Sequence, residues 1–304
     1  MQNHRHAHLM PLSERQIANI LALASLLFLF SCQKGTINPV QENASVAAEK
    51  GILFSSNFES DVNYPSSNVW LQQEPVAGDI KISNERSHSG VQSTKFTFNY
   101  KDWDGNSIVD GRRTEISFKA NAPCQKYALG KTYWVAFSSF IPNDWIDDYE
   151  NNTELIWQFH GSDNGPGDLS PCLAAYVKGG NLNIHVRTNA AIDGALHLLA
   201  SIPVPKGDWG EWIIQANFDY NNGFIKVWHN DSLLVDYNGS TIYHTTGQTN
   251  ENGPFLKLGI YKYQWRNLPT KVQQRVIYYD DVIVGDSTTT YAVISTKLKN
   301  NGNF

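Results

Sequence analysis

Trp212-Ile213-Ile214-Gln215-Ala216-Asn217-Phe218, Phe224-Ile225-Lys226-Val227-Trp228-His229 and Leu233-Leu234-Val235-Asp236 are three neighbouring runs that decide the fold. Each is rich in β-branched and aromatic side chains, which suit a pleated, half-buried surface. Asn222-Gly223 and Asn230-Asp231 punctuate them, and these residue types tolerate the backbone angles of tight turns. Two turn signals between three strands predict an antiparallel meander.

The same signals recur outward from this centre. Strands are expected at Gln92–Tyr100, Arg113–Lys119, Tyr133–Ile141, Leu155–His160, Leu182–Arg187, Phe255–Tyr261 and Val276–Val284. The one long helical pattern, Ser13 to Phe30, belongs to the N-terminal segment discussed below. Many short antiparallel strands predict an all-β fold, a two-sheet jelly-roll sandwich with one concave sheet carrying a groove. A β-helix would need a repeat, and none is visible.

Composition narrows the function. Hydrophobic residues make up 41% of the 304-residue chain and charged residues only 17%. Nine Trp, fourteen Tyr and fourteen Phe suit both aromatic strands and a sugar-binding surface. With 24 basic residues against 29 acidic ones, nothing points to nucleic acid, and a heavily sulfated polyanion would be better served by a basic surplus.

The N-terminus reads as an export signal. Arg5 and Arg15 precede the apolar run Ile17–Phe30, which is short for a membrane span of about 20 residues. Leu29-Phe30-Ser31-Cys32 resembles the lipobox of bacterial lipoproteins, although Phe30 stands where a small residue is usual. Residues 1–32 are therefore expected to be a lipoprotein-type signal, with Cys32 lipidated and tethering an exported monomer to the bacterial membrane, periplasmic or outward-facing. Residues 33–50 read as a flexible tether, 51–294 as one domain and 295–304 as a frayed tail. Export permits a disulfide between Cys124 and Cys172, with two free thiols as the other reading. Neither cysteine has a His at metal-site spacing, so no metal or other cofactor is expected.

Three separated strands share one design. Period 2 puts Arg113 with Glu115, Gln158 with His160, and Lys257 with Tyr261 on one face of each. Gly259, between Lys257 and Tyr261, leaves room for a sugar ring. Together these groups fit the cleavage of a uronate polymer by elimination. That reaction needs the carboxylate neutralised, the C5 proton removed and the C4 oxygen protonated. Arg113 and Gln158 suit the first task, with Glu115 holding the Arg113 guanidinium in place. His160 offers a neutral base at mild pH, and the Tyr261 phenol a proton for the leaving oxygen. For His160 alone, a hydrogen-bonded structural histidine is the other reading; for Arg113 and Glu115 it is a plain ion pair. Lys257 and Lys262 would add positive charge that favours a phenolate. Tyr263 and Arg266 extend this surface, and Trp265 reads as a sugar-stacking platform. Asp280 and Asp281 are read as turn, edge or rim groups, because adjacent strand residues point to opposite faces and do not share an ion. Asn164-Gly165-Pro166-Gly167-Asp168 reads as a loop over the groove end.

With these residues in hand, the chain resembles the β-jelly-roll polysaccharide lyases, which include alginate lyases, glucuronan lyases and heparin lyase I. Alginate lyases carry Arg-(Thr/Ser)-Glu, Gln-(Ile/Val)-His and Tyr-Phe-Lys-x-Gly-x-Tyr blocks. Residues 113–115, 158–160 and 255–261 resemble them in the same order. Phe159 and Phe255-Leu256 depart from that pattern. Trp157, Gly161 and Tyr279-Asp280-Asp281-Val282-Ile283-Val284-Gly285 look closer to the glucuronan and heparin lyase branch. The resemblance implies β-elimination on an anionic uronate polysaccharide, with Arg113 and Gln158 on the carboxylate and His160 and Tyr261 transferring protons. Two other functions compete. A hydrolase on this fold would need paired carboxylates, typically Glu-x-Asp-x-Glu on one strand, and no such run occurs. A noncatalytic sugar-binding module would have no use for His and Tyr poised together.

Overall fold

The central meander folds as its turn chemistry dictates. In a computed structural model, which describes residues 50–102, 112–161, 170–188, 195–244 and 252–300, β11 (Trp209–Asn217), β12 (Gly223–His229) and β13 (Ser232–Gly239) pair antiparallel in sequence order. Asn230 and Asp231 both have positive φ, 47° and 63°, as a two-residue type I′ hairpin requires. At the other turn, Asp219 Oδ1 accepts the main-chain N–H groups of Asn221 and Asn222, each at 2.8 Å.

Twelve further strands complete the described fold. They are β1 (Ile52–Ser56), β2 (Trp70–Gln73), β3 (Ile80–Ser83), β4 (Ser93–Asn99), β5 (Arg113–Phe118), β6 (Thr132–Phe140), β7 (Glu154–His160), β8 (Pro171–Lys178), β9 (Asn181–Thr188), β10 (Ala195–Pro203), β14 (Phe255–Tyr261) and β15 (Gln274–Asp286). One sheet has the order β13-β12-β11-β6-β15-β4-β3, with β1 also on β15; the other runs β10-β9-β8-β7-β14-β5-β2. Every strand pair in both sheets is antiparallel, giving the jelly-roll sandwich.

The core lies between the sheets and explains the alternation. On β14, Leu256, Leu258 and Ile260 enter the core while Lys257, Gly259 and Tyr261 take the opposite face. Cross-sheet ring contacts close the layer: Trp157 lies 5.9 Å from Trp212 and 6.2 Å from Phe137, and Phe159 lies 5.2 Å from Phe218. Each large apolar side chain so buried contributes about 1.5–3 kcal/mol.

Several expectations change. The C-terminal segment is a helix, α1 (Tyr291–Asn300), running past the boundary expected at 294. Thr290 caps it, its Oγ1 accepting the Val293 N–H at 3.4 Å. Ile294 and Leu298, one turn apart, pack with Trp134, Ala136, Ile213 and Ile283 in a second apolar cluster. Of the two readings of the cysteines, the structure has the free thiols: Cys124 and Cys172 are unpaired. Cys172 is buried on β8, whereas Cys124 follows β5, and β7 and β14 lie between those strands. Cys32, residues 1–49 and the 164–168 loop lie outside the described residues.

Asp280 and Asp281 also depart from strict alternation. The β15 register shifts between Asp280 and Ile283, and Asp281 takes a positive φ of 53°. This bulge turns both carboxylates toward one loop, and both are fully buried rather than on a rim. Asp280 Oδ2 accepts the His88 N–H at 2.9 Å, and Asp281 binds His88 Nδ1 and Ser89 Oγ, each at 2.6 Å. Burial, together with the neighbouring Asp281 charge, pushes Asp280 up to about 8. Burial works against a charged His88, but Asp281 and Glu211 outweigh it and raise its pKa to about 9.

Candidate active site

The order β7-β14-β5 lays the three motif strands side by side. Lys257 pairs with Gln158 and Ser117, Gly259 with Glu115, Tyr261 with Arg113 and Leu155, and Phe255 with His160. Their polar side chains form the floor of the face opposite the core. Arg113, Glu115, Gln158, His160 and Lys257 are all buried in it, and Tyr261 is half-buried.

Glu115 is the hub of this floor. It accepts hydrogen bonds from Gln158 Nε2 at 2.5 Å, Lys257 Nζ at 3.0 Å and Arg113 Nη1 at 3.3 Å. The Gln158 bond crosses over β14, because β5 and β7 are not neighbours. Gly259 makes this crossing open: it has no side chain to block the span. Its φ of +139° and a would-be Cβ 2.1 Å from the Thr114 carbonyl oxygen exclude any other residue. Burial pushes the Glu115 carboxyl upward, but the Lys257 and Arg113 charges and the hydrogen bonds from Lys257 and Gln158 outweigh it. Its pKa lies below the ordinary glutamate value, so the carboxylate is ionised.

A Gln side-chain amide carries two N–H donors, and Glu115 takes one of them, so the second remains to serve a ligand anion. The Arg113 guanidinium lies 4.2 Å from the Tyr261 ring centroid, a cation–π contact that fixes the phenol over a positive charge. At the far end of β7, His160 Nδ1 lies 2.7 Å from the Gly161 carbonyl oxygen. A carbonyl only accepts, so Nδ1 carries the proton and a neutral ring has its lone pair on Nε2.

Beside the Tyr261 end of the floor lies a cavity of about 270 Å³ lined by Leu155, Ser170, Pro171, Tyr176, Arg187, Leu196, Tyr261 and Tyr263. Pro171, in this lining, is the register partner of His160. Tyr263 stands beside Tyr261, ring centroids 5.5 Å apart, with its hydroxyl 3.3 Å from Thr153 Oγ1.

Three expected groove residues lie elsewhere. Lys262 alternates to the other side of the chain from Tyr261 and is fully buried. Its Nζ donates to the Asn152 carbonyl at 2.7 Å and pairs with Asp148 at 3.0 Å and Glu154 at 3.4 Å. Trp265 is also fully buried, packed 4.8 Å from Phe98 and 5.6 Å from Tyr100, so it offers no face to a sugar. Arg266 is exposed, but its guanidinium donates to the Tyr100 and Lys101 carbonyls. Conversely, the sequence reading passed over Leu155, Tyr176, Arg187 and Leu196. The signal was there in β9, where Asn183, His185 and Arg187 alternate with core residues Leu182, Ile184 and Val186.

Comparison with known proteins gives a family and a fold. A family model described as "Polysaccharide lyase" matches residues 55–283. Among solved structures, the chain is similar to an endo-β-1,4-glucuronan lyase from the fungus Trichoderma reesei, with TM-score 0.58 and 18% identity over 79% of this chain and 97% of that one. A β-glucanase catalytic domain from Podospora anserina gives 0.54 and 16%, over 80% and 99%. A family 7 alginate lyase bound to product gives 0.50 and 16%, over 74% and 100%. No curated protein matches the chain. At these identities the solved structures speak for the jelly-roll fold alone.

Proposed function

This chain belongs to the polysaccharide lyase family, and from that premise we propose that it cleaves a uronate-containing polysaccharide by β-elimination in the groove of the seven-stranded sheet. The observation that carries this reading is the floor built around Glu115, with the Tyr261 phenol held over Arg113. Arg113 and Gln158 take the substrate carboxylate and lower the cost of charge developing at C5. Glu115 positions both donors. The His160 Nε2 lone pair receives the C5 proton, and the C–H electrons become the C4=C5 double bond. The C4–O bond breaks as Tyr261 protonates the leaving oxygen, and solvent then returns a proton from His160 to the phenolate. In a variant of this scheme Tyr261 serves as both base and acid, and His160 assists with the carboxylate.

With 24 basic residues against 29 acidic ones, the lack of a basic surplus favours a carboxylated polymer with little or no sulfate. Glucuronan and alginate come first, and glycosaminoglycans such as heparin follow. Hydrolysis would require a pair of carboxylates flanking the bond, whereas the carboxylate of this floor is tied to three donors. A panel of uronate polymers tests the reading through the ultraviolet absorbance of the conjugated 4,5-unsaturated uronide. Glucuronan or alginate should yield that chromophore. New reducing ends without it would mean hydrolysis, and binding without cleavage would mean a lectin-like role.

A further inference from the structure

One cation of the groove is not engaged by the floor. Arg187, on β9, lines the cavity beside Tyr176, Tyr261 and Tyr263. No carboxylate pairs with it among the described residues, and its buried Nε has no hydrogen-bond partner. Its position is nonetheless built. The guanidinium lies 5.4 Å from the Tyr243 ring centroid, and the Tyr243 hydroxyl is fixed by donating to the Ser170 carbonyl at 2.8 Å. Tyr176 lines the same cavity as Arg187, and its ring meets His185 edge-on at 5.0 Å. Burial first, then the Lys178 and Arg187 charges, push His185 below the ordinary histidine value. A partly desolvated guanidinium with no counter-charge is costly unless an anion arrives to pair with it.

We propose, on the reading that this groove binds a uronate polymer, that Arg187 with Tyr176 forms a second carboxylate site that selects for an acidic sugar two residues along the polymer from the one being cleaved. Strand β9 lies two strand spacings, ~10 Å, from β7. A carboxylate at Arg187 therefore belongs to a different sugar from the one over Gln158. The cavity is lined from β14, β7, β8, β9 and β10, so a chain lying in it crosses the strands and passes both sites. Arg187 thus makes consecutive uronates better substrates than uronates spaced widely among neutral sugars.

The test compares a glucuronate homopolymer with a polymer carrying one uronate in every four sugars, in wild type, R187Q and R187K. Wild type should favour the homopolymer in kcat/KM. R187Q should raise KM on the homopolymer ~10-fold or more, the value of a lost charge-assisted hydrogen bond, with little change in kcat. It should barely affect the sparsely acidic polymer, and R187K should recover part of the loss. Equal wild-type efficiency on the two polymers would overturn the proposal without recourse to any variant. So would an unchanged homopolymer KM in R187Q, or a kcat loss of equal size on both substrates. If unsaturated product forms while these signatures fail, only the Arg187 site falls. If no uronate polymer yields unsaturated product, the elimination reading falls with it.

Discussion

Adjacent residues, Tyr261 and Lys262, belong to two different buried charge clusters, and the clusters are built on opposite principles. Tyr261 covers the first, where, among the described residues, Arg113 and Lys257 share the single carboxylate of Glu115. Lys262 enters the second, where Lys262 and Arg275 meet Asp148 and Glu154. There the cations and carboxylates match two to two, and Arg275 grips Glu154 through paired bonds of 2.6 and 2.8 Å. A balanced, sealed cluster ties β7, β14 and β15 together at the foot of Tyr261. A cluster with more cations than carboxylates among the described residues, set under a groove, suits an arriving anion. Strand alternation alone assigns one residue to each.

The strongest way to break the contrast is Glu154→Gln, which strips a carboxylate from the balanced cluster. Leaving a buried cation short of its partner should cost about 3–5 kcal/mol in urea unfolding. The turnover of the folded fraction should hold, because no groove residue is touched. An unchanged unfolding midpoint would deny this cluster its structural role. Tyr261→Phe probes the other side. The ring still covers Arg113, so stability should stay near wild type, while kcat should fall ~10²-fold or more with little change in KM. Near-wild-type turnover would remove the tyrosine acid from the mechanism.

A third cluster sharpens the comparison through pH. His88 holds its proton through Asp281 and Glu211. A raised pKa means that its contribution to stability is complete below about pH 6.5 and is lost as pH rises through about 9. Raised Asp280 acts in the same direction, since the folded state keeps a proton that the unfolded chain releases. Denaturant midpoints should therefore decline over that alkaline range, and His88→Gln should flatten the decline; an identical slope in the variant would refute it. The smallest expected effect is none at all. With Cys124 and Cys172 free, a reductant should leave the melting temperature unmoved, and a drop would reveal a disulfide.

The sequence made the sheets legible where alternation was regular and the floor legible because three strands repeated one pattern. All ten expected strands are present. What it hid follows from physics that period 2 does not carry. β10 is an edge strand of mixed exposure, ALHLLASIP, with no alternation to read. The bulge in β15 reverses the parity on which the reading of Asp280 and Asp281 rested. Helix α1 buries only Ile294, Ser295 and Leu298, so its polar remainder resembles a tail. Lys262 is different: parity alone places it opposite Tyr261, and its charge was given more weight than its position.

Gly259 sets the limits of redesign. A Cβ there would meet main-chain atoms of Thr114 and Glu115, which cannot rotate away as a side chain would. No library of neighbouring substitutions can make room for it, so the centre of the floor is closed to mutational drift. Changes of substrate range must come from the walls instead, at side chains such as Leu196, Tyr263 and Arg187, where space and rotamers are open to selection.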